Sequence, residues 1–262
     1  MSRTTIPTVT SLVLLAACGG GSSPTGPDVI GPASVTDAYA NQTTWTEAAY
    51  NPTRDRFVLT FGDSTSVTLP RNTTREGGMP DGFRAYGDGN AIAVRGATDS
   101  GSGSVYAVRA RLDGMEYGLE RFGETILPTT GSATYTGGYA GVLGDADNDL
   151  ANRGQVNGTA MVTADFASGA VSGRISDRIN GNGRVFDDLL LFPTTIDPLT
   201  GRFGSRTEGG VLTGLEYDTA NGEYSGLIVG ANGTEVVGGV IVIHSDSISA
   251  SIVETGGFVL TD

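Results

Sequence analysis

The most informative pattern in this chain is a period of two in its apolar and polar residues. Across residues 156–166 the even positions carry Val, Gly, Ala, Val, Ala and Phe, and the odd positions carry Asn, Thr, Met, Thr and Asp. Such alternation puts one set of side chains on a buried face and the other in water, as an antiparallel strand with one wet face requires. The segment is therefore predicted to be a β-strand.

Eight segments of strand character follow Gly131, separated by short turns rich in Gly, Asn and Asp. They are residues 133–143, 155–166, 170–176, 184–192, 209–217, 223–229, 235–244 and 247–260. Eight strands joined in order by hairpins can close on themselves and leave no exposed sheet edge. We therefore predict an all-β fold with an eight-stranded antiparallel up-and-down barrel over residues 131–262. Side chains just fill the interior of a barrel of this size.

Shorter alternating segments predict a small β-rich domain over residues 33–130. Its clearest strands are residues 56–61, 66–69, 91–95, 104–112 and 115–122. Residues 71–82 are rich in glycine and proline and are predicted to be a loop. Residues 44–50 are the best helical candidate, although they would form only about two turns.

Glycine content and charge narrow the class of protein. The chain has 41 glycines without a collagen-like period, which indicates many turns and close backbone approaches. Its formal net charge of −13 disfavours nucleic-acid binding, because the phosphate backbone would repel it. The charge is compatible with a basic protein partner and equally with a simple role in solubility.

The first residues have the features of an export signal. Arg3 precedes an apolar run over residues 9–17 that is too short to span a bilayer. Residues 15–18, Leu-Ala-Ala-Cys, resemble the lipobox of bacterial lipoproteins. This resemblance implies that Cys18, the only cysteine, carries the lipid at the start of the mature chain. The alternative is an ordinary signal peptide with an incidental Cys18.

On the lipoprotein interpretation, residues 1–17 are the signal peptide and residues 18–32 are a tether rich in Gly, Ser and Pro. The resemblance implies an acylated, palmitate-bearing anchor that holds the protein to a membrane without a spanning helix. Gly19 after the cysteine resembles the outer-membrane sorting pattern. The expected location is therefore the outer membrane, facing either the periplasm or the cell surface.

Several barrel motifs resemble those of transferrin-binding protein B and related solute-binding and haemophilin-like surface lipoproteins. The motifs are residues 131–137 (GSATYTG), 164–166, 171–175, 222–227, 230–239 (GANGTEVVGG) and 256–258. The resemblance implies that the barrel is preceded by a "handle" domain at residues 33–130. It also implies one lobe where transferrin-binding protein B has two, and a binding protein without catalysis.

The function implied by the resemblance is capture of an iron carrier, haem or another solute at the cell surface. A structural or adhesive surface lipoprotein is the alternative, and a hydrolase that uses surface carboxylates is a third possibility. One lobe cannot inherit the partner of a two-lobed protein, and the partner contacts of that family are made by loops without a matching motif here. The resemblance therefore carries over the fold and not the ligand.

A small basic feature surrounds the glycine-rich loop of this acidic chain. It consists of Arg71, Arg75 and Arg84, with Glu76 among them. Functional residues often lie on loops that a rigid scaffold positions. We expect a recognition loop here, with a mobile linker as the alternative.

Acidic residues give two further candidates, and both have a plain interpretation. Residues 144–149, Gly-Asp-Ala-Asp-Asn-Asp, open like a calcium loop, but Leu150 and Val156 stand where such a loop needs Gly and Glu. We interpret this segment as a solvated acidic turn and predict no metal site. Three further carboxylates could in principle form a glycosidase-like pair, but we expect them to be solvated surface residues. They are Asp187, Asp188 and Glu208.

Residues of catalytic and haem-binding types are present as well. His244, Ser245 and Asp246 are consecutive, so their side chains cannot converge as those of a catalytic triad do. Because the chain has one histidine, a haem would need tyrosine, methionine or that histidine as its axial ligand. We expect the strand tyrosines to pack in the barrel. They are Tyr135, Tyr139, Tyr217 and Tyr224. No catalytic residue and no cofactor are predicted.

Overall fold

The computed structural model describes residues 28–30, 45–87, 90–110, 114–145, 154–212, 219–245 and 251–262. These residues form a closed eight-stranded barrel and two smaller sheets that precede it in the chain. The predicted all-β fold class is confirmed. We call the two smaller sheets together the handle.

The strands are numbered in chain order. The handle contains β1 (Asp28–Ile30), β2 (Trp45–Asn51), β3 (Arg56–Phe61), β4 (Ser66–Pro70), β5 (Phe83–Gly87), β6 (Ala91–Ala97), β7 (Gly103–Ala110) and β8 (Gly114–Arg121). The barrel contains β9 (Ser132–Asp145), β10 (Gln155–Asp165), β11 (Ala170–Asn180), β12 (Leu189–Thr195), β13 (Arg202–Gly209), β14 (Thr219–Val229), β15 (Glu235–Ser245) and β16 (Ser251–Thr261). A 3-10 turn, Ala231–Gly233, joins β14 to β15.

The barrel has the predicted up-and-down topology. Each strand from β9 to β16 pairs antiparallel with the next one, and β16 returns to pair with β9. This last ladder runs from Ile252 opposite Asp145 to Thr261 opposite Thr136. The barrel therefore closes with backbone pairing, and the predicted removal of free edges is confirmed.

Several elements differ from their prediction. β1 lies within the predicted tether, and β5 is not among the predicted strands. The fifth barrel strand is β13, so the predicted strand at residues 209–217 begins where the real one ends. The sequence of β13 shows no alternation of apolar and polar residues, because Phe203 is the only large apolar residue in RFGSRTEG and the other buried side chain is Thr207. The helical candidate at residues 44–50 is strand β2 instead, since pairing with β3 buries Trp45.

The barrel interior is filled by side chains from all eight strands. Its large members include Tyr135, Tyr139, Ile175, Leu191, Phe203, Tyr224, Val240 and Phe258. Bulky rings fit because glycines lie beside them in the wall: a Cβ on Gly238 would lie 2.0 Å from Cζ of Phe258, and one on Gly226 would lie 2.2 Å from Cζ of Phe203. Part of the glycine excess thus makes room for rings.

The handle packs against the outside of the barrel as two further layers. The five-stranded sheet, in the order β1-β8-β7-β6-β5, is the middle layer, and the three-stranded sheet β2-β3-β4 covers its other face. On β7, Val105 and Ala107 pack toward the barrel, whereas Tyr106 and Val108 pack toward the three-stranded sheet. This is why every residue of β7 is buried.

Polar contacts fasten the handle to the barrel. Glu235, at the start of β15, accepts hydrogen bonds from the hydroxyls of Ser100 and Ser102, the latter at 2.6 Å. Burial would raise the pKa of Glu235, but these hydrogen bonds lower it below its ordinary value. Arg121 Nη1 donates to the carbonyl oxygen of Thr200 at 2.6 Å. Within the described ranges, no helix has the length and apolar character needed to cross a membrane.

A methyl group at Gly239 should weaken the contact between the handle and the barrel. Its Cβ would lie 2.1 Å from Cδ2 of Tyr117 in β8. We expect Gly239→Ala to lower the free energy of unfolding by about 1–3 kcal/mol, as overpacking does elsewhere. Gly181→Ala is the matched control, because a Cβ there has no neighbour within 4 Å. Equal urea-unfolding midpoints for both variants would contradict this packing.

Candidate functional site

The two ends of the barrel differ in the length of their connections. At one end, which we call the turn end, residues 166–169, 196–201 and 230–234 join the strands with four, six and five residues. At the other, the loop end, residues 146–154, 181–188, 210–218 and 246–250 do so with nine, eight, nine and five. Long connections carry recognition more often than tight turns. The loop end is therefore the candidate site.

A cluster of polar side chains lies inside the barrel beneath the loop end. Glu254 Oε2 accepts a hydrogen bond from Arg178 Nη2 and lies 3.2 Å from Nε2 of His244. Tyr139 donates its hydroxyl to Glu254 Oε1 at 2.7 Å. The side chains of Arg178, His244 and Glu254 are 0% exposed. We call these four residues the polar cluster.

Arg178 points inward because of an irregularity in β11. Along this strand Val171 and Ile175 are buried, so simple alternation would bury Asp177 next. Instead Gly158 of β10 faces both Asp177 and Arg178, which is a β-bulge, and Asp177 has a φ of 52°. A bulge redirects the following side chains. It exposes Asp177 and places Arg178 in the interior.

The polar cluster leaves its carboxylate ionised. Burial would raise the pKa of Glu254, but the charge of Arg178 and the contacts of His244 and Tyr139 hold it well below its ordinary value. Burial, together with the nearby Glu254 charge, raises the pKa of the Tyr139 hydroxyl. The carboxylate is already engaged by three side chains. This arrangement is suited to holding structure and not to proton transfer.

The predicted recognition loop is tied to the handle by ion pairs. Arg71 makes a bidentate contact with Glu76 at 2.8 and 2.9 Å. Asp55 accepts from Arg71 at 3.2 Å and from Arg84 at 3.4 Å. Burial would raise the pKa of Asp55, but hydrogen bonds from Tyr86 and Tyr50 and the two arginines lower it. Two of the four predicted residues, Arg71 and Arg84, therefore meet at Asp55, and a third, Glu76, is held by Arg71. The fourth, Arg75, lies in the same loop with a half-buried side chain.

The same loop reaches the barrel wall near the loop end. Asn157 Nδ2 donates to the carbonyl oxygen of Gly78 at 2.9 Å. A groove of about 690 Å³ runs between this loop and strands β9–β11. Its apolar lining includes Met79, Pro80, Met161 and Ile179. The handle loop and the loop end of the barrel thus form neighbouring surfaces.

The tyrosines and the lone histidine lie where packing residues would. Tyr135 donates its hydroxyl to the carbonyl oxygen of Gly233 at 2.6 Å, and Tyr224 donates to that of Phe192 at 2.6 Å. His244 contacts Glu254 inside the barrel, as described above. Tyr217 and Asp246 lie outside the described residues.

The remaining predicted residues are exposed or lie outside the described ranges. Asp187 and Asp188 are exposed, and Glu208 forms a surface ion pair with Arg206 at 2.8 Å. The calcium-like segment falls largely in residues 146–153, and Cys18 with its signal peptide falls in residues 1–27; neither stretch is described. Among the described residues, no group of three or more metal-ligating His, Cys, Asp or Glu side chains comes together.

Several solved structures of transferrin-binding protein B are similar to this chain. A tryptophan-to-alanine mutant from Haemophilus parasuis shares 17% identity at a TM-score of 0.46 and covers 78% of this chain and 41% of its own. The isotype 1 protein from serogroup B Neisseria meningitidis shares 15% identity at a TM-score of 0.47, and the match covers 78% of this chain and 39% of that protein. A double mutant from Haemophilus parasuis shares 15% identity at a TM-score of 0.44, and the match covers 81% of this chain and 44% of that protein.

This chain therefore spans about two fifths of the length of those proteins. No protein-family model and no curated protein matches the sequence.

The lowered pKa of Glu254 predicts an acid-dependent contribution to stability. A carboxyl with a lowered folded-state pKa stabilises the fold above its unfolded-state pKa of about 4.3, and this contribution is lost as the pH falls through the folded value. At pH 7 we expect Glu254→Gln to lower the free energy of unfolding by about 3 kcal/mol, because Arg178 would lose its buried counter-charge.

Below about pH 4.3 the difference between wild type and Glu254→Gln should shrink. Urea unfolding at several pH values measures it. Glu208→Gln removes an exposed carboxylate and should change stability by less than about 1 kcal/mol at any pH. Parallel pH profiles for wild type and Glu254→Gln would rule out this role of Glu254.

Proposed function

We propose that this chain is a lipid-anchored outer-membrane protein at the cell surface, which binds an extracellular partner without catalysis. Its contacts come from the loop end of the barrel and from the adjoining handle loop. The proposal divides the chain into signal peptide 1–17, tether 18–32, handle 33–130 and barrel 131–262, and β1 is the part of the tether that joins the handle sheet.

The position of β1 beside the turn end of the barrel is the observation that carries this proposal. Asp28 lies only ten positions after Cys18, so a lipid on Cys18 would keep Asp28 within about 36 Å of the membrane. Asp28 pairs with Arg121, and Arg121 donates to Thr200 at the turn end. The turn end would then face the membrane, and the loop end would point away from it.

The packed interior favours a partner bound on the outside. Among the described residues, aromatic and aliphatic side chains fill the barrel from the turn end to the polar cluster. A haem or another solute enclosed in the barrel would have to displace these side chains. A protein that contacts the outer surface requires no such rearrangement. An extracellular protein is therefore our first candidate partner, and an iron-carrying protein is one kind to test.

The orientation is tested by short epitope tags at opposite ends of the barrel. One tag is inserted after Asn182, in an exposed turn of the loop end, and its matched control after Leu199, which is 93% exposed at the turn end. On intact cells we expect antibody to reach the first tag much better than the second. Cys18→Ala should move the protein out of the membrane fraction. Unchanged membrane retention of Cys18→Ala would refute the anchor.

Partner capture tests the binding role directly. Purified wild-type protein is incubated with the extracellular medium of the organism, and bound proteins are identified by mass spectrometry. We expect one dominant partner, lost when the tag follows Asn182 and kept when it follows Leu199. Self-association without a partner would support the alternative of a structural or adhesive protein and contradict the proposal.

A further inference from the structure

Arg178 connects the polar cluster to the main chain of two loop-end connections. Its Nη1 donates to the carbonyl oxygen of Asp187 at 2.6 Å and to that of Gly210 at 3.0 Å. Asp187 belongs to the connection between β11 and β12, and Gly210 begins the connection between β13 and β14. One side chain, held inside the barrel, therefore contacts both connections from below.

The geometry of arginine makes this contact directional. A guanidinium is planar and presents its donors in a fixed fork, so carbonyls bound to it are held in a defined relation to each other. The other side of the fork is fixed by Glu254. The guanidinium also lies 5.7 Å from the ring centre of Phe186, which precedes Asp187. The path of the chain at residues 186–187 and 210 is thus set from the interior.

Stability alone does not explain a buried ion pair at this position. Apolar residues of similar volume often serve as well or better in a protein interior, because two charges lose their hydration on burial. Elsewhere the barrel interior is filled mainly by apolar side chains. The strand must also adopt a positive φ at Asp177 to direct Arg178 inward. An L-residue other than glycine rarely adopts this conformation.

We propose that Arg178 and Glu254 are positioning residues that set the path of the main chain at residues 186–187 and at residues 210–212. Glu254 neutralises and orients Arg178, and Arg178 holds the two main-chain carbonyls. The use of this surface for a partner rests on the proposed function. The positioning itself requires no partner and can be measured on the protein alone.

Hydrogen–deuterium exchange of the purified full chain tests the proposal. In Arg178→Met we expect amides in residues 181–188 and 210–212 to exchange at least about tenfold faster than in wild type, because their anchoring contacts are lost. Residues 230–234 at the turn end should keep their wild-type rates. Arg174→Met is the matched control: it lies on the outer face of the same strand and should change neither region.

A double variant separates positioning from a general effect on stability. Arg178→Met with Glu254→Leu removes both charges and should recover most of the urea-unfolding midpoint lost in either single variant. Fast exchange at both connections should persist, because no donor holds the carbonyls. If Arg178→Met does not fold, this double variant decides alone. Wild-type exchange at both connections in the double variant would overturn the proposal.

The experiment also keeps this inference separate from the proposed function. Exchange rates are measured without any partner, so a failure to capture one leaves the positioning result intact. Conversely, a captured partner would not rescue the inference if exchange at residues 181–188 and 210–212 were unchanged.

Discussion

The ladder between β16 and β9 is the constraint on which the rest of the structure depends. Ten residue pairs join these strands, one from each end of the domain, and turn a meander of hairpins into a ring. Once the ring is closed, its interior has a fixed cross-section and each inward side chain must fit beside its neighbours. The glycines beside Phe203 and Phe258 follow from that requirement.

The outer surface of the closed barrel is divided between strands covered by the handle and strands that face solvent. Part of it, mainly on β14, β15, β16 and β9, is covered by the middle sheet of the handle. These strands are buried on both faces, and for this reason most of β15 is apolar at consecutive positions instead of alternating. Strands β10 and β11 face solvent with their outer side chains, and their buried and exposed positions alternate up to the bulge in β11. The same barrel thus contains two kinds of strand pattern.

Most of the fold follows from patterns that the sequence displays, and the exceptions have local causes. Period-two alternation locates β10, and the apolar run of β15 is bounded by clear turns. Period-two alternation does not reveal β13, where Phe203 is the only large apolar residue on the inner face. The polar cluster is absent from the predicted sites, although Glu254 shares its parity with Ile252 and Phe258 and so should face inward. Arg178 is harder to predict, since its direction depends on a bulge that only pairing with β10 defines.

Strand β1 determines where a pull on the N-terminal side of the handle would act. It consists of three residues paired with β8 at the rim of the middle sheet, whereas β15 meets β16 over eleven pairs. If the N-terminus is anchored as proposed, tension would act first on the three β1–β8 pairs. It would separate β1 from β8 before it reached the barrel strands. A pulling force on the protein would thus extend the N-terminal segment and leave the loop end of the barrel folded.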